Sequence, residues 1–136
     1  MTTQRSIPRP LLAGIALIIL ASAYAYFLTP TQEYDDVTVA EAKALIEGRP
    51  DMVILDVRNP SEFDDGHIEG AINIPVDYLA GSLDELSKDD ELLVYCRTGN
   101  RSARAVGILE DGGLTKIFHM DAGITGWLDA GYPVVE

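Results

Sequence analysis

Four consecutive apolar residues, Leu92-Leu93-Val94-Tyr95, run straight into the chain's single cysteine, Cys96. A short strand without polar alternation suits the middle of a parallel sheet, covered on both faces. A second apolar run, residues 52–55, ends at Asp56, and shorter pieces at 71–74 and 117–119 read as further strands. Helical signals fall between them. Thr38-Val39-Ala40-Glu41 has capping-box spacing and opens a helix through Ala42, Leu45 and Ile46, which Gly48 and Pro50 stop. Asn59-Pro60-Ser61-Glu62 turns into a short helix near Phe63, and residues 83–86, 102–109 and 124–128 supply the rest, with Gly112 and Gly113 ending the helix of residues 102–109. Residues 31–34 read as a tether. Strands alternating with helices give an open α/β sheet, mostly parallel, whose site lies at the carboxyl ends of the strands.

Cys96 stands at such an end, followed by Arg97-Thr98-Gly99-Asn100-Arg101-Ser102 and a helix. A strand-to-helix turn aims its backbone N–H groups at any anion inside it. A thiol held there between two arginines loses its proton readily and becomes a nucleophile. An inert buried cysteine would need no such cations. Gly99 fits a turn that requires positive φ or close backbone approach. Ser102 either caps the helix or hydrogen-bonds the sulfur. His67 and His119 are isolated and no Cys/His cluster has metal-ligand spacing, so neither a metal nor a cofactor is expected.

Charge sharpens the picture. The chain has 10 basic and 22 acidic residues, a net charge of −12. All the acids lie beyond residue 30, whereas Arg5 and Arg9 precede it, so the remainder carries 8 − 22 = −14. That body should repel nucleic acid and anionic lipid. Between Glu91 and Glu110, however, there is no acid, and Arg97, Arg101 and Arg104 fall in that window. A positive pocket in a negative surface suits a small anionic substrate.

The N-terminus is of another kind. Arg5 and Arg9 precede residues 11–28, which carry no charge and end near Tyr24, Tyr26 and Phe27. As a helix those residues would rise about 27 Å, close to the roughly 30 Å of a bilayer core. The reading is a signal-anchor over residues 1–30, with the domain of residues 31–136 on the extracytoplasmic side of a single-pass membrane protein. The alternative is a signal peptide processed at Ala21-Ser22-Ala23, which would leave the domain periplasmic or secreted. In an oxidising compartment one cysteine also means no internal disulfide.

Four ordered stretches together resemble the single-domain rhodaneses (thiosulfate sulfurtransferase-like). They are Asp56-Val57-Arg58 with Glu62-Phe63, the run from Gly66-His67-Ile68 through Asn73-Ile74-Pro75, the Cys96 loop, and Gly123-Ile124-Thr125-Gly126-Trp127. The resemblance covers the chain from about Tyr34 onward. It implies an open five-stranded parallel sheet with helices on both faces, here preceded by one N-terminal hydrophobic helix. It also implies a sulfurtransferase that carries sulfane sulfur as a Cys96 persulfide, from a small anionic donor such as thiosulfate to a thiol or protein acceptor. Arg97, Thr98, Gly99, Asn100, Arg101 and Ser102 would hold the donor. Asp56, Arg58, His67 and Trp127 would support the loops, Glu62 pairing with Arg58 and Trp127 packing under the Cys96 loop. One departure is Ala122-Gly123, where many members have a glycine pair. A membrane-tethered module for sulfur delivery or partner binding is a second reading. A cysteine phosphatase or arsenate reductase is a third; its loop is one residue longer, and Arg97-Thr98-Gly99-Asn100 match the sulfurtransferase pattern better.

Overall fold

The computed structural model describes residues 9–28 and 34–136. The chain divides into two units, Met1–Gln32 and Glu33–Glu136. In the first, α1 (Arg9–Leu28) forms over the apolar segment, and the side chains of Leu17, Ile18, Ile19, Leu20, Tyr24, Tyr26 and Phe27 are exposed. Among the described residues no helix is long and apolar enough to cross a membrane. The expected span over residues 11–28 is therefore not carried by the structure. The helix counts Arg9 and Pro10 in its first turn and Ser22, Tyr24 and Tyr26 toward its end. Arg5 lies outside the described residues.

In the second unit five strands form one parallel sheet in the order β1-β5-β4-β2-β3. They are β1 (Tyr34–Val37), β2 (Val53–Asp56), β3 (Ile72–Asn73), β4 (Leu92–Tyr95) and β5 (Ile117–Met120). The crossing helices are α2 (Val39–Gly48), α3 (Pro60–Asp64), α4 (Val76–Leu79), α5 (Asn100–Asp111) and α6 (Gly123–Asp129), with a 3-10 turn at Leu83–Glu85. β4 is central, paired with β2 from Val53↔Leu92 to Asp56↔Tyr95 and with β5 from Leu92↔Ile117 to Val94↔His119.

Alternation along the strands sorts the core into two layers. Leu55, Leu92, Val94 and Ile117 face α4 and α5 through Leu79, Ala105, Val106 and Leu109. Ile54, Leu93, Tyr95 and Met120 face α2 and α6 through Ala42, Ile124 and Trp127. Burying each of the larger side chains stabilises the fold by about 1.5–3 kcal/mol, which is why runs as short as four residues hold the sheet.

The strand missing from the sequence reading is β1. Its residues, Tyr34-Asp35-Asp36-Val37, include two exposed acids and occupy an edge, and only Val37 is buried. Tyr34, read as the end of a tether, begins this strand; residues 31–33 lie outside the described residues. The one-turn helix α4 was equally without signal. The capping box of α2 forms as its spacing requires: Thr38 Oγ1 accepts from the Glu41 N–H at 3.2 Å, and Glu41 accepts from the Thr38 N–H at 2.8 Å.

Candidate active site at the Cys96 loop

β4 delivers Cys96 to the carboxyl edge of the sheet, and α5 leaves from Asn100, so residues 96–99 must reverse direction in a single tight loop. Gly99, the residue before α5, makes the reversal at φ 100°. Its N–H donates to Cys96 Sγ at 3.1 Å, and the Ser102 hydroxyl lies 3.3 Å from the same sulfur. The thiol is 1% exposed. Burial pushes its pKa up, but the Ser102 hydroxyl and the backbone N–H groups of Ser102, Gly99 and Thr98 together hold it below its ordinary value. Hydrogen bonds from the loop, rather than a neighbouring guanidinium, do most of this. Ser102 therefore bonds the sulfur and leaves the cap position to Gly99.

The loop is pressed against Asp121 and the first turn of α6. Ile124 N–H donates to Cys96 O at 2.9 Å and Thr125 N–H to Arg97 O at 3.2 Å. A Cβ on Gly99 would fall 2.3 Å from Asp121 O, and one on Gly123 (φ 60°) 2.3 Å from Arg97 O. Both positions thus exclude every side chain. Ala122, by contrast, sits at φ −68°, ψ −14°, ordinary right-handed backbone that needs no glycine. The departure from the glycine pair leaves the loop undisturbed.

The three cations of the acid-free window have different fates. Arg101 donates twice to Glu62, at 2.6 and 2.9 Å. That bond holds the Glu62 carboxyl down at about 2, against the opposing effect of its burial. Arg104 pairs with Asp77 at the surface. Arg97 is exposed and has no ion-pair partner among the described residues. It lines a shallow cavity beside the loop with Arg58, Glu62, Thr125, Leu128 and Asp129. Thr98 and Asn100 are exposed.

Arg58 does not pair with Glu62 as the sequence suggested. It folds back on Asp56, with Nε 3.0 Å and Nη2 2.6 Å from Asp56 Oδ2, and its Nη2 also donates to Gly66 O at 2.8 Å. Proximity decides the exchange: Asp56 is two residues away and fully buried with Arg58, whereas the start of α3 brings Glu62 to Arg101. The Tyr95 hydroxyl accepts from Ile68 N–H at 3.1 Å, tying the same loop to β4. His67 stacks on Phe63 at 3.7 Å, places Nδ1 2.9 Å from Phe63 O, and pairs its backbone with Val135. Trp127 lies in the core layer opposite Cys96 and donates to Pro133 O at 2.9 Å, anchoring the C-terminal tail.

Two residues absent from the sequence reading of the site reach it through the fold. His119 Nε2 is 2.8 Å from Ser102 Oγ, and His119 Nδ1 is 2.8 Å from Asp36 Oδ1. Only the parallel register of β1, β5 and β4 sets Asp36, His119 and Val94 side by side, with Cys96 two residues beyond Val94, and nothing local in the sequence signals it. Among the described residues no group of His, Cys, Asp and Glu is placed to hold a metal ion.

A parallel α/β domain built around one acidified cysteine in a strand-to-helix cradle defines the class. The family follows directly: the model of the rhodanese-like domain matches residues 38–130, and the chain belongs to that family. It is 30% identical over 95 residues to the thiosulfate sulfurtransferase GlpE of Tolumonas auensis, covering 70% of this chain and 89% of that protein. It is also 32% identical over 105 residues to a tRNA uridine(34) hydroxylase of Cronobacter sakazakii, covering 70% of this chain but only 30% of that protein. A rhodanese-related protein from Thermoplasma volcanium superimposes with a TM-score of 0.67 at 39% identity, covering 75% of this chain and 98% of that structure.

Proposed function

We propose that the protein is a sulfurtransferase, taking sulfane sulfur from thiosulfate or a related donor onto Cys96 and passing it to a thiophilic acceptor. The observation that carries this is the Cys96 sulfur, 3.1 Å from the Gly99 N–H and 3.3 Å from the Ser102 hydroxyl, with its pKa lowered by those donors. The thiolate attacks the outer sulfur of thiosulfate; a new S–S bond forms, the old one breaks, and its electron pair leaves with sulfite. The terminal sulfur of the resulting persulfide remains anionic and takes the place of an oxyanion in the N–H cradle. Arg97, which lines the cavity and has no ion-pair partner among the described residues, offsets the charge of the donor and of the departing sulfite. A nucleophilic acceptor then removes the outer sulfur and regenerates the thiolate. The sulfurtransferase name of the Tolumonas relative supports this reading.

Incubation with thiosulfate should add the mass of one sulfur to Cys96, cyanide should remove it, and Cys96→Ser should abolish both. No mass gain on a folded protein overturns the reading; phosphate release from an aryl phosphate without sulfur loading would favour the phosphatase alternative. Arg101, held by two bonds to Glu62, counts against that alternative. Retention of a partner protein by Cys96→Ser would add the sulfur-delivery role.

The proposal extends to location: the N-terminal segment directs the domain to the extracytoplasmic side. Arg5 and Arg9 before the apolar run support it. Intact-mass measurement on membrane and soluble fractions separates retention of the segment from processing near Ala23, and a full-length cytosolic protein refutes the placement.

A further inference from the structure

The proton that Cys96 must lose has a destination in this fold. Ser102 Oγ sits 3.3 Å from Cys96 Sγ, 3.0 Å from Gly99 O and 2.8 Å from His119 Nε2, and His119 Nδ1 is 2.8 Å from Asp36 Oδ1. Cys96, Ser102 and His119 are all buried, at 1%, 0% and 4%, whereas the Asp36 side chain is 53% exposed. The four groups form a continuous line from a buried thiol to solvent. We propose that His119 is the proton store of Cys96, filled through the hydroxyl of Ser102 and held by Asp36.

The hydrogen inventory fixes how it works. The Asp36 carboxylate only accepts, so His119 presents N–H at Nδ1 and, when neutral, a bare Nε2. Ser102 has one hydroxyl proton. With neutral His119 that proton is drawn to Nε2, with Gly99 O as a second acceptor, and the thiol S–H points at the free lone pair of Oγ. On ionisation the S–H bond breaks as a new O–H forms, and the former O–H breaks as Nε2–H forms. The product is a thiolate and an imidazolium, with the Ser102 hydroxyl now donating to sulfur. Reversal of one hydroxyl thus couples the charge on Cys96 to that on His119. The persulfide formed from the thiolate is also anionic, so the imidazolium keeps its counter-charge through the half-reaction.

The titratable groups facing this pair are few. Asp36 and Tyr34 come from β1, the latter ring edge-on to His119 at 6.0 Å, and Ser102 from α5 bridges to Cys96. Glu110 of α5 acts on Tyr34, and Arg101 of α5, itself paired with Glu62, acts on the charge of Cys96. Asp35 stands at the register position of Phe118, on the opposite face of the sheet from His119. His119 acts through Ser102, as a positioning and proton-holding residue, and this role rests on Cys96 being the group that ionises.

The test is a pair of titrations on the full chain, neither of which needs a sulfur donor. Ring signals of His119 followed by NMR against pH should titrate lower in Cys96→Ala, by about one pH unit, because the neighbouring negative charge is gone. Ultraviolet absorbance of the Cys96 thiolate should rise about one pH unit later in His119→Gln, leaving roughly tenfold less thiolate below the midpoint, with Asp36→Asn showing part of that shift. An unchanged His119 midpoint in Cys96→Ala overturns the proposal, and that arm stands alone should His119→Gln fail to fold. If the coupling appears while Cys96 accepts no sulfur from thiosulfate, the relay holds and the sulfurtransferase reading falls.

Discussion

At position 99 two independent demands meet: a φ of 100°, which L side chains rarely adopt, and a carbonyl where a Cβ would be placed. Gly99→Ala should therefore cost about 3 kcal/mol by denaturant melt, from strain and overpacking together, and should lower sulfur loading of the protein that remains folded. Loss of less than about 1 kcal/mol would mean that the Asp121 carbonyl yields freely. At this scale the sequence was informative for some residues and silent for others. Cys96, Gly99 and the basic loop declare their chemistry because it is local to one turn. His119 does not, since an isolated histidine at a strand position gains meaning only when the register sets it between Asp36 and Ser102. Glu62 was attached to the wrong arginine for a similar reason: which cation it meets depends on where α3 starts, not on spacing.

Between elements, two ion pairs of unlike character hold the loops around the site. Asp56 and Arg58 are buried at the end of β2 and reach Gly66 O, so they link β2 to the segment leading into β3. Asp56→Ala strands a buried guanidinium and should cost about 3–5 kcal/mol, whereas Arg104→Ala, at an exposed pair, should cost under about 1 kcal/mol in the same melts. Glu62 and Arg101 join α3 to α5 and are partly exposed. The carboxyl is held near 2 in the folded chain and at its ordinary value of 4.5 when unfolded. Because the folded value is the lower one, the pair stabilises fully above about pH 4.5 and its contribution fades as pH falls toward 2. After discounting for screening, about 1–2 kcal/mol should disappear over that interval, and Glu62→Gln should remove that part of the acid dependence. The strands built on apolar runs, β4 throughout and β2 up to Asp56, were legible in the sequence because burial on both faces leaves few polar positions. β1 was not, because an edge strand bearing Asp35 and Asp36 resembles a solvated linker.

Across the whole molecule the field opposes the proposed substrate. A chain of net charge −12 would repel thiosulfate at a distance, and Arg97, without an ion-pair partner among the described residues, would attract it at close range. Neutral salt should therefore lower the KM for thiosulfate modestly, by about twofold or less as the Debye length shrinks to about 8 Å. Sulfate at equal ionic strength should raise it by competing at the pocket. Identical responses to the two salts in steady-state assays would show that no anion-specific contact exists.

The contact of the sulfur loop with Asp121 and the first turn of α6 has one more consequence. With a carbonyl of each segment standing where the other's side chain would be, the two are cast from one mould. Neither can widen without dislodging its counterpart. The bore of the anion ring is consequently set from behind, by Asp121 and Gly123, and accommodating a bulkier guest would mean rebuilding a wall that never touches it.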